Sequence, residues 1–367
     1  MTRRRVAVVS TWFPSEARPT EAPFNLEHAH TIADTSDVAV THVQLGASGP
    51  IRVEAYGGLP VTRIPLSPRH PIRAIRGLRT LRKNSADADV VQSMAFSTVL
   101  ALSLVRPWMR RPWVHAEHWN GVSRPESVGK VWTAFSWLRN TLRFADYVGG
   151  DTTELTDRMR RFAGRTPTAV IPCVVENPRP IPDSRPDGIH LVAMGALVPR
   201  KNPLLAVDVV AALRAEHPTV TMRWVGDGPL RADVERRVAE LGLENAFTLV
   251  GNVDPAERFV EYEHASVYFL PSTQENFFTS AAEALSTGVP VVAAAVGGFT
   301  EFADESNSVI IPRDRMTVDA FARAIEAAHE RFADVAPETI ARPIRDRFGF
   351  ATLAAQFDGI YTSLGAR

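Results

Sequence analysis

The chain has 367 residues and a mass of 40.3 kDa, which at ~100–200 residues per domain suggests two domains. With 45% hydrophobic and 22% charged residues, and bases and acids balanced at 41 each, disorder and a whole-molecule attraction to nucleic acid are both excluded. A single cysteine, Cys173, excludes a disulfide framework and a cysteine-cluster metal site, and no apolar run reaches the ~18 residues that cross a bilayer; a soluble cytoplasmic protein is the expectation.

Arg3-Arg4-Arg5, the apolar run Val6–Val9 and Ser15-Glu16-Ala17 imitate a signal peptide, but the run is short and Pro14 interrupts the stretch after it. Val6–Ser10 therefore reads as a buried first strand, since parallel strands are continuous apolar runs. The next loop, Trp12–Phe24, has no glycine and three prolines, too stiff to wrap a phosphate. Strands are predicted at Val38–Leu45, Val90–Ser93, Trp113–His115 and Tyr147–Gly149, and helices at Asn25–Asp34, Thr98–Val105 and Val131–Leu142. Gly57-Gly58 between two β-rich segments predicts a hairpin within Ile51–Leu66.

Between Arg69 and Lys83, cations interleave with Ile72, Ile75, Leu78 and Leu81. On a helix this predicts an apolar stripe flanked by Arg73, Arg76, Arg79 and Arg82, a pattern suited to an anionic membrane surface or to ordinary core packing. Asp87-Ala88-Asp89 has the form of a metal-binding DxD, but it precedes a strand where such a site needs the strand's far end. The ten histidines show no ligand spacing that suggests zinc, so no metal is expected.

A proline-rich connector runs from Pro172 to Pro186. Beyond it the alternation restarts, with strands at Leu191–Ala193, Thr221–Val225, Thr248–Val250, Val267–Leu270 and Val289–Ala293. Two β-α-β runs predict an α/β protein of two Rossmann-like domains facing one another, residues 1–175 and 176–350. A last helix, Ala351–Leu364, has no strand after it, and residues 351–367 are expected to pack back on the first domain.

Chemistry concentrates in Pro271-Ser272-Thr273-Gln274-Glu275-Asn276-Phe277-Phe278-Thr279, between a strand and a helix. Ligands of open α/β sheets sit at the carboxyl ends of strands. Amides at Phe278, Thr279 and Ser280 would face a phosphate at the helix start. Glu283, a turn further on, is placed to accept hydrogen bonds from a ribose diol. The alternative is a Thr279 N-cap and a solvated Glu283.

The Glu275…Glu283 pair is the E-x7-E motif, and the chain resembles the GT-B retaining glycosyltransferases of family 4. Leu191 through Asn202 is similar to that family's first strand and diphosphate loop, with Gly195, Arg200 and Lys201 in it. Val225-Gly226-Asp227-Gly228-Pro229 and Leu249-Val250-Gly251-Asn252-Val253 are similar to its next two strand ends. The resemblance implies a nucleotide-diphosphate-sugar donor and no cofactor. Glu283 would hold the ribose, Lys201 the diphosphate, Glu275 the sugar hydroxyls and backbone near Asn252-Val253 the base. Asn276, Phe277, Phe278 and Thr279 would line the donor. Lys201 is one of three lysines, with Lys83 and Lys130; a departing diphosphate needs a positioned cation, and Arg200 can add a bidentate contact.

Trp113 through Gly121 is similar to the segment carrying the family's active-site histidine, with His118 the nearest match and His115 a structural alternative. The family usually has arginine where Ala196 stands and glycine where Phe278 stands; the phenylalanine is expected to narrow the approach to the helix start. The expectation is a metal-independent retaining transferase with a glycan, lipid-linked or small-molecule acceptor and no nucleic-acid partner. A non-catalytic nucleotide-sugar-binding partner of a polysaccharide assembly complex, or a GT-B epimerase, is the alternative.

Overall fold

The computed structural model describes residues 3–366 except Thr20, Asn120 and Ala256; Asn120, in the Trp113–Gly121 segment, thus lies outside the described residues. The chain divides into two compact units, Met1–Val174 with Phe350–Arg367, and Val175–Gly349.

The first unit is built on eight strands: β1 (Arg4–Ser10), β2 (Ser36–Leu45), β3 (Arg52–Tyr56), β4 (Leu59–Leu66), β5 (Val90–Met94), β6 (Trp113–Glu117), β7 (Tyr147–Gly150) and β8 (Thr168–Val170). Their order is β3-β4-β2-β1-β5-β6-β7-β8. All pairs are parallel except β3 with β4, a hairpin in which Tyr56 lies opposite Leu59 across Gly57-Gly58. In β1, Val6 and Val8 join one apolar cluster while Ala7 and Val9 join another. Both faces are covered, which is why this strand is apolar without alternation.

Helix Phe350–Ser363 packs on the Val6/Val8 face through Phe357, Ile360 and Tyr361. It is tied there by Tyr361 Oη donating to Gln92 Oε1 at 3.0 Å and by an Arg4–Asp358 ion pair at 2.6 Å.

Two predicted helices come out differently. Instead of one helix over Val131–Leu142, Lys130–Ala134 is a single short α-turn and Ser136–Phe144 a 3₁₀ helix. Side chains drive the change: Arg139, Asn140, Thr141 and Arg143 each donate to the carbonyl three residues back. Those bonds compete with the i−4 ladder of an α-helix.

The basic segment does form a helix, Pro71–Ala86, but its four apolar residues do not make one stripe. Leu81 is buried and Leu78 packs on the core, whereas Ile72 and Ile75 are 70% and 51% exposed. At 3.6 residues per turn, a strict three-residue spacing drifts by roughly 60° each step, so Ile72 and Leu81 end on opposite faces. Asp89, the second acid of the DxD, accepts from the Arg5 amide at 2.9 Å and pairs with its guanidinium at 3.0 Å. It serves strand-to-strand pairing at the start of β5.

The second unit has six strands: β9 (His190–Met194), β10 (Thr221–Val225), β11 (Phe247–Gly251), β12 (Val267–Leu270), β13 (Val291–Ala294) and β14 (Ser308–Ile311). All are parallel, in the order β11-β10-β9-β12-β13-β14. The order reverses between β9 and β12, so the loops after these two strands open a crevice at the topological switch point. Among the described residues no helix is long and apolar enough to cross a membrane.

Candidate functional site

Both loops at the switch point carry the predicted residues. After β9 the chain passes Gly195, whose carbonyl accepts the Trp224 indole N–H at 2.9 Å, and then makes a 3₁₀ turn, Pro199–Lys201. After β12 the Pro271–Phe278 loop lies alongside: the Thr273 amide donates to the Arg200 carbonyl at 2.8 Å. Lys201 Nζ donates to Glu275 Oε1 at 2.5 Å, and Arg200 Nη1 stands 3.4 Å from Glu275 Oε2. The Lys201 and Glu275 side chains are each 8% exposed, against 51% for Arg200. Burial pulls the Lys201 ammonium below its ordinary lysine value, with Glu275 pulling the other way.

Glu275 is held from behind. Gly297 has φ +56°, and a Cβ there would sit 2.2 Å from the Asn276 carbonyl oxygen and 2.4 Å from that of Glu275. The Gly298 amide donates to the Asn276 carbonyl at 2.6 Å. The loop bearing the first glutamate is thus pressed on a backbone turn where only hydrogen fits.

Helix Thr279–Ser286 follows, capped by Phe278 in the left-handed region at φ +74°. Its first backbone bond runs from the Ala281 amide to the Phe278 carbonyl, so the amides of Thr279 and Ser280 precede the helical ladder. The Phe278 ring is 3% exposed and turned inward, 5.5 Å from the Phe299 ring and 6.4 Å from that of Tyr268, with the Lys201 ammonium 5.5 Å from its centroid. It therefore fills core rather than narrowing the approach to the helix start. Thr279 is the first helical residue, not the cap.

Glu283 is buried on this helix and is not a solvated acid. Arg258 Nε donates to its Oε1 at 2.8 Å and Tyr262 Oη to its Oε2 at 2.8 Å. Both partners come from helix Arg258–Glu263, just after the Asn252-Val253 loop that ends β11. Burial, then Glu283, pushes the Tyr262 phenol well above its ordinary value, which keeps it a donor. Sequence reading missed Arg258 and Tyr262; no local pattern marks them. Each carboxylate oxygen keeps a further lone pair for a hydroxyl. Asn252 is exposed, and Val253, Asn276 and Thr279 are half-buried; the Phe277 side chain is buried among Phe302 and Phe348.

In the first unit His118 directly follows β6. Its amide and that of Trp119 donate to Glu117 Oε1 at 2.9 and 2.8 Å. Its ring packs against Phe24 and His28, and burial lowers its pKa to about 4, and that of His28 to about 3. His115 is fully buried between Ser93 Oγ, at 2.9 Å, and Glu117 Oε2, at 3.3 Å.

Models of known families fit both units. A "Glycosyl transferase 4-like domain" matches residues 33–173, and "Glycosyl transferases group 1" matches residues 188–331. The chain belongs to the GT4-like glycosyltransferases of GT-B fold.

Relatives of this family member include a D-inositol 3-phosphate glycosyltransferase of Nocardioides sp., 34% identical over 38% of this chain and 34% of that protein. A 2-deoxystreptamine glucosyltransferase of Streptomyces kanamyceticus is 37% identical over 29% and 28%. The Vi polysaccharide biosynthesis protein VipC/TviE of Salmonella typhi is 35% identical over 32% and 20%. The matched regions thus span about a third or less of these relatives.

Solved structures align over nearly the whole chain. Anabaena HepE in complex with UDP and glucose gives a TM-score of 0.74 at 18% identity, over 98% of this chain and all of that one. Sucrose-phosphate synthase of Thermosynechococcus elongatus gives 0.73 at 20% identity, over 99% and 100%. At these identities the likeness is one of fold.

Proposed function

We propose that this chain transfers a sugar from a nucleotide-diphosphate sugar to a glycan, lipid-linked or small-molecule acceptor with retention of anomeric configuration. The observation that carries this reading is the convergence of Lys201, Arg200 and Glu275 at the β9/β12 switch point, with Glu283 in the helix that starts there. A nucleoside diphosphate leaving from a sugar needs cations and amides where its charge develops. Lys201, Arg200 and the Thr279 and Ser280 amides supply them, so the departing diphosphate needs no divalent metal. Glu275 is then the acceptor for sugar hydroxyls. Glu283, held open by Arg258 and Tyr262, takes the ribose diol, and backbone at Asn252-Val253 meets the base. That HepE was crystallised with UDP and glucose supports this class of donor.

Among the described residues none offers itself as a covalent nucleophile, and the diphosphate itself is the base for the acceptor in a same-face transfer. His118 would touch the transferred sugar through its ring or backbone carbonyl. A polysaccharide or lipid-linked acceptor places the enzyme at the inner face of the membrane, which it would meet through the outer face of helix Pro71–Ala86, where Ile72 and Ile75 lie exposed among Arg73, Arg76, Arg79, Arg82 and Lys83.

A thermal-shift panel of nucleotide sugars tests the donor: binding at 100 times Kd stabilises by about 2.7 kcal/mol, and no shift with any of them overturns the reading. Turnover is expected without added magnesium or manganese. Strict dependence on either ion would return the metal role to Asp87 and Asp89.

A further inference from the structure

Strands β6, β7 and β8 lie side by side, and a potential metal ligand follows each: His118 directly after β6, Asp151 directly after β7, and Cys173 three residues past β8. All three side chains are turned inward, each 5% exposed or less. Their ligand atoms lie within 4.8 Å of one another. Cys173 Sγ is 3.6 Å from His118 Nδ1, and Asp151 Oδ2 is 3.8 Å from that same nitrogen.

Convergence on one nitrogen is the informative feature. A ring nitrogen offers either one in-plane lone pair or one N–H, so it cannot serve a thiol donor and a carboxylate acceptor together. At 3.8 Å the carboxylate is also beyond hydrogen-bond reach. A relay of the nucleophile–histidine–acid kind would put its two partners on opposite ring nitrogens. A cation at the centre lies within ligand reach of all three. Zinc at about 2.3 Å from sulfur and about 2.0–2.1 Å from nitrogen and oxygen sets its tetrahedral ligands roughly 3.3–3.6 Å apart, against 3.6 and 3.8 Å from His118 Nδ1 to Cys173 Sγ and Asp151 Oδ2.

We propose that His118 Nδ1, the Asp151 carboxylate and the Cys173 thiolate bind one divalent cation of the zinc class. The thiol proton leaves to solvent on binding. One carboxylate and one thiolate then neutralise the dication, so no net charge is buried. Sulfur and imidazole together disfavour magnesium and calcium. Three protein ligands leave a fourth position for water or substrate.

The ligands are held in place beforehand. Glu117 fixes the His118 amide, the ring packs against those of Phe24 at 5.2 Å and His28 at 4.7 Å, and the Asp151 amide donates to the Glu117 carbonyl at 3.1 Å. All three ligands belong to the first unit, whereas the diphosphate chemistry is proposed for residues of the second.

Cobalt(II), titrated alone into the full-length chain, is the probe. The expected result is one equivalent bound, with a thiolate-to-cobalt charge-transfer band in the near ultraviolet and intense tetrahedral bands in the visible. Cys173→Ser should abolish the charge-transfer band, and Asp151→Asn should weaken cobalt binding at least ~10-fold, about 1.4 kcal/mol, with far-ultraviolet circular dichroism unchanged. Absence of the band in the wild-type chain overturns the proposal, as does a band that survives in Cys173→Ser.

Should that variant not fold, alkylation of the wild-type chain decides, because Cys173 is its one thiol. Zinc should slow the modification at least tenfold, and equal rates with and without zinc overturn the site. Nucleotide titration reports on the second unit, so a failed donor reading leaves these readouts intact.

Discussion

Lys201→Met isolates what the buried pair at the switch point is worth. Methionine keeps an apolar stem of similar length but removes the ammonium. Glu275 then stays in a site where its side chain is 8% exposed, with its partner formerly at 2.5 Å gone. Breaking a buried pair from one side costs about 3–5 kcal/mol, because the remaining charge is left uncompensated. Arg200, half-exposed at 3.4 Å from Oε2, offsets part of this, which puts the expected loss near the lower end, about 3 kcal/mol.

The double variant Lys201→Met/Glu275→Gln removes both charges, and should be at least ~1.5 kcal/mol more stable than the sum of the two single losses. Native-state hydrogen exchange on the full-length chain, read on peptides covering residues 199–216 and 267–286, gives the local opening free energies. A Lys201→Met loss below about 0.5 kcal/mol, within the range of ordinary surface changes, or strict additivity in the double variant, would mean that the pair is effectively solvated. A preorganised diphosphate site would then be refuted.

Glu283→Ala should weaken binding of the bare nucleoside diphosphate by about 1.5–3 kcal/mol in calorimetry, the worth of a hydrogen bond to a charged group; unchanged affinity removes Glu283 from the site. Gly297→Ala places a methyl within 2.4 Å of two backbone carbonyls at a positive φ, and should cost on the order of 2–4 kcal/mol in urea unfolding; a neutral change would show that the 275–276 loop is not braced there. Phe278→Gly relieves a left-handed phenylalanine but empties a buried ring, terms of about 1–3 and 3–5 kcal/mol, so a net loss of about 2 kcal/mol is expected; a stabilised variant would show that strain outweighs packing.

Much of the scaffold was legible in local pattern. Val6–Val9 and Val267–Leu270 announce themselves because a strand covered on both faces must be apolar throughout, a requirement that each segment meets alone. The Glu275…Glu283 spacing and the position of Lys201 were legible for a related reason: each sits where a strand hands over to a helix, and that junction is written in neighbouring residues. The three-residue strand Thr168–Val170 is too short to show a pattern. The Val131–Leu142 periodicity misled because side-chain bonds to carbonyls three residues back compete with the α-helical ladder.

What the sequence by itself determined about this protein is therefore its alternation of elements and the chemistry at single strand ends. Only the tertiary structure decided which ends meet. Arg258 and Tyr262 reach Glu283 across more than twenty residues, and His118, Asp151 and Cys173 come together from three loops. The physical reason is sheet order. Hydrophobic period is set within one segment, but lateral neighbours are set by crossovers whose destinations depend on packing against the whole sheet. A chain with one cysteine and no zinc-like spacing can therefore still assemble a sulfur, a nitrogen and an oxygen around a single point.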